Sequence, residues 1–209
     1  RQVFGQVDID MIAGPSEIGI IADDSANPVH LAADLLSQAE HDPRARAIMV
    51  TNSEKLAQLV SDEVERQLLQ LPRESIARPA IENNSYIAVM DSVEDMFTVM
   101  NEVAPEHLEI QLPDPMEYMS MVENAGSVFL GRYASEPLGD YVGGTNHVLP
   151  TSGTAKFSSP LGVYDFVKRI SFTQFSRERL QEVAKDITTL ARTEGLEAHA
   201  RAIEVRFEK

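Results

Sequence analysis

The stretch AIMVTNSEKLAQLVSDEVERQLLQL, residues 47–71, decides the fold class. Its first five residues are mostly aliphatic or β-branched, as in a buried strand. The segment after them repeats apolar residues at three- and four-residue spacing, as an amphipathic helix does. Ser53 lies between the two and can serve as the helix N-cap. A strand followed by a helix is the unit of a parallel sheet with crossover helices, so the stretch predicts an α/β domain.

The same alternation extends in both directions, over residues 7–130. Further strands are predicted at residues 11–22, with an interruption at Gly14 and Pro15, and at residues 86–90, 108–111 and 127–130. Further helices are predicted at residues 28–41, 93–103 and 115–124, with Asn27 and Ser92 as N-caps. The predicted fold is therefore a doubly wound, Rossmann-like parallel sheet.

Residues 131–160 interrupt this alternation with several glycines and prolines, and the segment is too long for an ordinary connection. Such loops are usually functional or mobile. Beyond it, we predict a strand at residues 170–175, an amphipathic helix at residues 177–193 and a short helix at residues 196–205. We expect an α/β domain over residues 1–165 and a small helical tail over residues 166–209.

Composition excludes several classes of function. Among 209 residues, 33 acidic and 18 basic side chains give a formal charge of −15, which would repel a phosphate backbone, so nucleic acid is not an expected partner. No apolar run is long enough to span a membrane, and the first residues lack a signal-peptide core, so we expect a cytoplasmic protein. The chain has no cysteine, so any metal must be held by nitrogen and oxygen ligands.

Two histidine-containing pairs are candidates for chemistry. Gln38 and His41, at i and i+3 near the end of a predicted helix, could converge on one ion, although this spacing also occurs by chance. Glu106 and His107 could form a proton-handling pair, or Glu106 could simply cap the entrance of a strand. They precede that strand, whereas parallel sheets present functional groups at carboxyl ends.

Other candidates are weaker on spacing alone. Asp140 lies in the glycine-rich loop and Glu194 and His199 lie in the tail, where a solvated surface is the simpler interpretation. Ser16 follows a strand-like run but lacks the G-x-S-x-G elbow of a hydrolase nucleophile. Neither G-x-G-x-x-G nor a P-loop occurs, so no sequence fingerprint marks a nicotinamide site in this chain. His147 receives no role, and His30 is expected to be a solvated helix residue.

Several longer stretches, in this order, resemble histidinol dehydrogenase over essentially the whole chain. They are AGPSE (residues 13–17), AADLLSQAEHDP (32–43), APEHLEI (104–110), GSVFLG (126–131), GDYVGGTNHVLPT (139–151) and GLEAHARA (195–202). A set of six ordered segments is far more specific than any single three-residue spacing.

The resemblance implies roles for the weak candidates. Zinc would be bound by Gln38, His41, Asp140 and His199, an oxygen and nitrogen set that suits a chain without cysteine. Glu106 and His107 match the family's acid–base pair. Ser16, His107 and Glu194 match residues that contact the substrate, together with the zinc ligands.

The family's reaction is the oxidation of L-histidinol through the aldehyde to L-histidine, with two hydrides passed to two NAD molecules. By resemblance, His107 removes the alcohol proton, Glu106 activates the water that adds to the aldehyde, and zinc fixes the substrate. The tail is expected to reach the partner's site in a homodimer.

Family members are roughly twice as long, so we expect a C-terminal half that lacks most of the NAD-binding surface. The alternative from another class is a zinc-dependent small-molecule binding module without turnover, and a weaker one is a hydrolase that uses Ser16. Sequence upstream of Arg1 would separate the first two.

Overall fold

The structure, a computed structural model, describes residues 2–208 and confirms the predicted α/β class. Five parallel strands form one sheet in the order β3-β2-β1-β4-β5. They are β1 (Glu17–Ala22), β2 (Arg46–Thr51), β3 (Tyr86–Val89), β4 (His107–Gln111) and β5 (Ser127–Leu130). The chain builds outward from β1 to β3 and then returns to place β4 on the other side of β1, which makes the sheet doubly wound.

Helices cover both faces of this sheet. On one face lie α1 (Pro28–Ala39), α2 (Glu54–Leu68) and α3 (Glu74–Asn84); α4 (Val93–Val103) and a 3-10 helix (Pro115–Met121) cover the other. The three predicted N-caps are confirmed, since the side chains of Asn27, Ser53 and Ser92 accept hydrogen bonds from first-turn amides.

Strand alternation divides the core in two. In β1, Ile18 and Ile20 pack in the cluster under α1, α2 and α3, whereas Ile21 packs in the cluster under α4. All six residues of β1 are buried, as expected for a central strand with helices on both faces. Gly19 allows the close approach of α4, because a Cβ there would lie 2.4 Å from the sulfur of Met100.

Three predicted elements were wrong in extent or type. Residues 11–16 are not part of β1; the amide of Gly14 instead donates to Thr151 Oγ1 at 2.6 Å, so this segment lies against the later loop. Residues 115–124 form a 3-10 helix that ends at Met121 rather than an α-helix. Residues 170–175 form no strand, and their apolar side chains are exposed.

Two α-helices within residues 2–208 were missed. Helix α3 contains Pro79, which removes a backbone donor and normally argues against a helix interior. Burial of Ala77 and Ala80 in the core on this face compensates for that loss. The second missed helix is α5 (Glu136–Tyr141), inside the segment predicted to be a long loop. Its six residues are too few for a helical periodicity to be recognised.

The chain divides into two compact units, residues 1–167 and 168–209. In the second unit, residues 168–176 have no regular structure, and α6 (Arg177–Thr193) and α7 (Glu197–Glu204) form a helix pair, as predicted. Gly195 takes a left-handed conformation (φ 73°) at the turn, and Arg192 pairs with Glu197 across it at 2.8 Å. Among residues 2–208, no helix combines the length and apolarity needed to cross a bilayer.

Candidate active site and metal centre

One face of β4 is polar, although a strand covered on both sides is usually apolar throughout. In the strand HLEIQ, residues 107–111, Leu108 and Ile110 enter the apolar cluster under α4. Because successive side chains alternate, His107, Glu109 and Gln111 share the opposite face. All three are buried, so their polar groups need partners inside the protein.

Helix α1 supplies part of these partners. Asp34 and Gln38 are one helical turn apart, so they leave α1 from the same side. Gln38 Nε2 lies 3.3 Å from His107 Nδ1, and the carboxyl of Asp34 lies within hydrogen-bonding reach of Glu109. We call this set the polar seam: Asp34, Gln38, His107, Glu109 and Gln111. It runs along the interface between α1 and β4.

His107 lies at the amino end of the polar seam, where β4 begins. Its Nδ1 is 3.0 Å from the backbone oxygen of Glu17. A carbonyl oxygen can only accept a hydrogen bond, so Nδ1 carries the proton and donates it to Glu17. The nearby Gln38 Nε2 is then a neighbour of Nδ1 and not its hydrogen-bond partner, and Nε2 of the ring has a free lone pair. Burial lowers the pKa of His107, which keeps the ring neutral near pH 7. The residue can therefore act as a base through Nε2.

Glu106 lies beside this histidine, with Oε2 3.6 Å from His107 Nδ1. The same oxygen accepts a hydrogen bond from the amide of Glu17 at 3.0 Å. Burial, followed by the charges of Glu17, Asp140 and Glu136, raises the pKa of Glu106 to about 7. A carboxyl group with that pKa can both release and accept a proton near neutral pH.

Helix α5 brings two more carboxyl groups to the same place. Glu136 Oε1 lies 3.7 Å from His107 Nε2, and one ligand atom from each of His107, Glu136 and Asp140 lies within 4.8 Å of the other two. Burial and the neighbouring Asp140 raise the pKa of Glu136 to about 7. Gly139 permits this approach, because a Cβ there would lie 2.7 Å from the Phe129 ring.

The site contains two buried oxygen atoms without a partner. Gln38 Oε1 and Glu136 Oε1 are both inaccessible to solvent, and neither has a hydrogen-bond partner within residues 2–208. Leaving a buried acceptor unpaired costs roughly 1–3 kcal/mol. Unpaired oxygen atoms of this kind, with the carboxyl group of Asp140 in the same cluster, could hold a cation that accepts oxygen ligands, such as Zn²⁺.

A sequence model of the family described as histidinol dehydrogenase matches residues 1–207. The chain belongs to the histidinol dehydrogenase family.

Individual relatives show the same likeness. The chain is 68% identical over 208 residues to histidinol dehydrogenase of Lactiplantibacillus plantarum and 64% identical over 209 residues to that of Streptococcus mutans. Each alignment covers 100% of this chain and 49% of the relative. The crystal structure of histidinol dehydrogenase from Elizabethkingia anophelis superposes with a TM-score of 0.85 at 44% identity, over 99% of this chain and 47% of that one. The chain therefore spans about half the length of these relatives.

Four of the predicted site residues of this family member meet in the first unit. Glu106 and His107 are adjacent and buried, Gln38 contacts His107, and Asp140 belongs to the cluster with His107. His41 is exposed just past the end of α1, close enough for its charge to lower the pKa of His107.

The other predicted residues lie elsewhere. Ser16 is half-buried directly before β1, where its backbone oxygen accepts from the amide of Arg46 at 3.0 Å. Glu194 and His199 belong to the second unit, at the end of α6 and in α7, and both are exposed there. His30 and His147 are exposed.

Sequence reasoning missed three buried carboxyl residues of this site: Glu17, Glu109 and Glu136. For Glu109 a signal exists, because HLEIQ alternates polar and apolar residues while Asp34 and Gln38 repeat at the spacing of one helical turn. For Glu136 no sequence pattern indicates a role, since it is far in sequence from the other site residues and only the tertiary structure brings it near them.

The raised pKa of Glu106 predicts an effect of pH on stability. Unfolded, Glu106 ionises near its ordinary pKa of 4.5; folded, it holds its proton up to about pH 7. The folded state binds the extra proton between these values, so the residue's contribution to the free energy of unfolding falls as the pH rises through that window. Glu106→Gln keeps the acceptor for the Glu17 amide, so at pH 8 we expect it to be more stable than the parent by about 1–3 kcal/mol.

Urea unfolding of chelator-treated protein measures this difference. At pH 4.5 the gain should disappear, because the carboxyl group is then largely protonated in the folded state and half protonated in the unfolded state. An equal gain at both pH values would show that the substitution acts through packing instead of proton binding.

Proposed function

We propose that this chain is the zinc- and substrate-binding half of an NAD-dependent histidinol dehydrogenase, which oxidises L-histidinol through the aldehyde to L-histidine. The observation that carries the proposal is the pair of unpartnered buried oxygens, Gln38 Oε1 and Glu136 Oε1, near the neutral His107. Membership of the histidinol dehydrogenase family supports this choice of reaction. The polar cluster supplies groups suited to proton transfer and metal binding.

His107 is the proposed base for the alcohol proton. Its Nδ1 is committed to the carbonyl of Glu17, so Nε2 is the ring atom that can accept the proton of the substrate's hydroxyl group. The resulting imidazolium is stabilised by the nearby carboxyl group of Glu136.

Glu106 is the proposed base for the second half of the reaction. Oxidation of the aldehyde requires addition of water, and a carboxylate must take a proton from that water. With a pKa of about 7, Glu106 is ionised in half the molecules at neutral pH and can return the proton to solvent between turnovers. The two residues therefore serve two separate proton transfers.

The proposed zinc ligands are Gln38, His41 and Asp140 of the first unit together with His199 of the second. Of the cluster His107, Glu136 and Asp140, only Asp140 is a proposed ligand, and His107 and Glu136 are kept for proton transfer. The donor set suits zinc, because it contains only nitrogen and oxygen atoms and because Gln38 Oε1 is buried with no hydrogen-bond partner among residues 2–208. When bound, zinc would hold the imidazole and amine nitrogens of histidinol and so fix the reacting carbon. Ser16 and Glu194 are proposed as further substrate contacts.

NAD does not fit the usual position in this chain. In dinucleotide-binding folds of this strand order, a glycine-rich turn after the first strand approaches the pyrophosphate. Here β1 is followed by DDSAN, residues 23–27, which has no glycine and carries two aspartates that would repel phosphate. We therefore propose that most of the NAD-binding surface lies outside this chain.

We also propose a homodimer with shared sites, in which Glu194 and His199 act in the partner's site. Exposure of both side chains on the second unit is compatible with such an exchange. The exposed apolar side chains in residues 157–175 are a further reason to expect a covering partner.

Zinc binding by the purified protein tests the proposed function. We expect Gln38→Met to raise the dissociation constant for zinc more than about 100-fold, because changes to residues behind the ligands alone cost about 10–100-fold. Gln58→Met, an exposed glutamine on α2, is the matched control and should bind zinc as the parent does. Competition with a chromophoric chelator measures both constants.

Turnover completes the test. With the NAD-binding half present, histidinol should reduce NAD, and chelation of zinc should stop the reaction until zinc is restored. Zinc binding without any NAD reduction in the complete enzyme would favour the binding module, and equal affinity of the Gln38→Met variant would contradict the ligand assignment.

A further inference from the structure

Glu109 is a buried carboxyl residue to which the reaction assigns no role. It occupies the middle of β4 and is 0% exposed, whereas an ionisable group at such a position normally costs stability. Burial and the nearby Asp34 raise the pKa of Glu109 well above its usual range. Because Glu109 is costly to bury and does not face solvent, its contacts inside the protein should indicate its role.

Its main contact is the first residue of α5. Glu109 Oε1 accepts a hydrogen bond from the amide of Glu136 at 2.9 Å, across 27 residues of sequence. Its other oxygen accepts from Gln111 Nε2 at 3.0 Å, and the carboxyl of Asp34 lies within hydrogen-bonding reach. Glu109 therefore connects α5 to the polar seam.

The start of α5 has no local cap. Ser135 occupies the N-cap position, yet its side chain makes no capping hydrogen bond within residues 2–208. A six-residue helix is not stable by itself, so its position depends on tertiary anchors. The hydrogen bond from Glu136 to Glu109 satisfies an amide that the helix leaves unpaired.

We propose that Glu109 is the positioning residue of α5: it caps the helix from the neighbouring strand and thereby holds Glu136 and Asp140 against His107. The helix carries the two carboxyl groups at positions 136 and 140, one turn apart, so fixing its first amide fixes both. The zinc arm of this proposal rests on the proposed function, whereas the position of α5 does not.

The test compares Glu109→Met with Glu109→Gln. Methionine matches the length of glutamate but has no comparable acceptor for the Glu136 amide, whereas glutamine keeps an acceptor for that amide and can donate to Asp34. We expect the methionine variant to raise amide hydrogen exchange in a peptide covering α5 at least about tenfold in zinc-free protein. We expect its dissociation constant for zinc to rise about 10–100-fold. The glutamine variant should stay close to the parent in both measurements.

Urea unfolding distinguishes the proposed positioning role of Glu109 from a general contribution to stability. Replacing a buried carboxyl by an apolar side chain of similar size should leave the midpoint of urea unfolding unchanged or raise it. Gln111→Leu is the matched control, because it removes the other hydrogen bond to Glu109 and leaves the acceptor for Glu136; exchange in α5 should not change.

Several outcomes would overturn the proposal. Parent-like exchange in α5 of the methionine variant would do so, as would faster exchange of equal size in the glutamine variant. If the methionine variant fails to fold, Glu109→Leu replaces it. If both variants fail to fold while the glutamine variant folds, Glu109 is required for folding itself and the positioning role is refuted. Absence of zinc binding in the parent would refute the proposed function, and exchange in α5 would still decide the role of Glu109.

Discussion

Replacing His107 with alanine is expected to lower kcat of the complete enzyme about 10²–10⁴-fold, the usual contribution of a positioned general base. The KM for histidinol should change much less, because Nε2 acts mainly as the proton leaves in the transition state. The expectation depends on the tautomer, which the contact of Nδ1 with the Glu17 carbonyl fixes. Steady-state kinetics with saturating NAD measures both parameters.

His30→Ala is the matched control for this prediction. His30 lies in the first turn of α1 and is exposed there, so its loss should leave kcat and KM unchanged. A His107→Ala enzyme with parent-like kcat would remove His107 from the mechanism. A variant with a raised KM and an unchanged kcat would assign it to substrate binding alone.

The fold was predictable where a local pattern and the tertiary structure agree. Strands β2 to β5 and the long helices carry strong periodicity, and the caps at Asn27, Ser53 and Ser92 set their first turns. Helix α3 was not predicted because Pro79 disfavours a helix at that position. In the folded protein, burial of Ala77 and Ala80 outweighs this local preference. The apolar residues at positions 170–175 suggested a strand, but no neighbouring strand pairs with them among residues 2–208.

The place of the candidate site departs from the general rule for parallel sheets. Ligands usually bind beyond the carboxyl ends of the strands, yet His107 begins β4 and Glu17 begins the adjacent β1. The reason lies in the direction of α1, which runs back after β1, so that Gln38 in its last turn lies beside the amino end of β4. These residues were identified from the sequence, but their position at one edge of the sheet could not be predicted without the strand order.

Contacts between segments that are far apart in the chain could not be predicted from the sequence. The amide of Glu136 meets Glu109 only after the chain has left β5 and turned back over the sheet. Likewise, Glu17 binds the amide of Ser152 from the other end of the first unit. Neither contact has a spacing or composition of its own, so only the fold reveals them.

Mixing two defective variants is expected to restore zinc sites if the tail is exchanged between subunits. One variant is His199→Ala, with an intact first unit, and the other is His41→Ala, with an intact tail. In a mixed dimer, the first unit of one chain would receive its fourth ligand from the tail of the other, which completes one of the two sites. Random pairing gives mixed dimers in about half the population, so about a quarter of all sites should bind zinc tightly and support turnover.

The stoichiometry of tight zinc binding after denaturation and refolding of an equimolar mixture measures this recovery. Each variant refolded alone is the control and should remain defective. If the tail supplies His199 to its own chain, every site in the mixture contains one defective ligand set and no recovery occurs. A dimer is also required, because a monomer cannot combine the two intact parts, so sedimentation of the parent is measured on the same sample. Recovery near a quarter would therefore show that the ligands of one zinc site come from two chains, since neither variant alone contains a complete set.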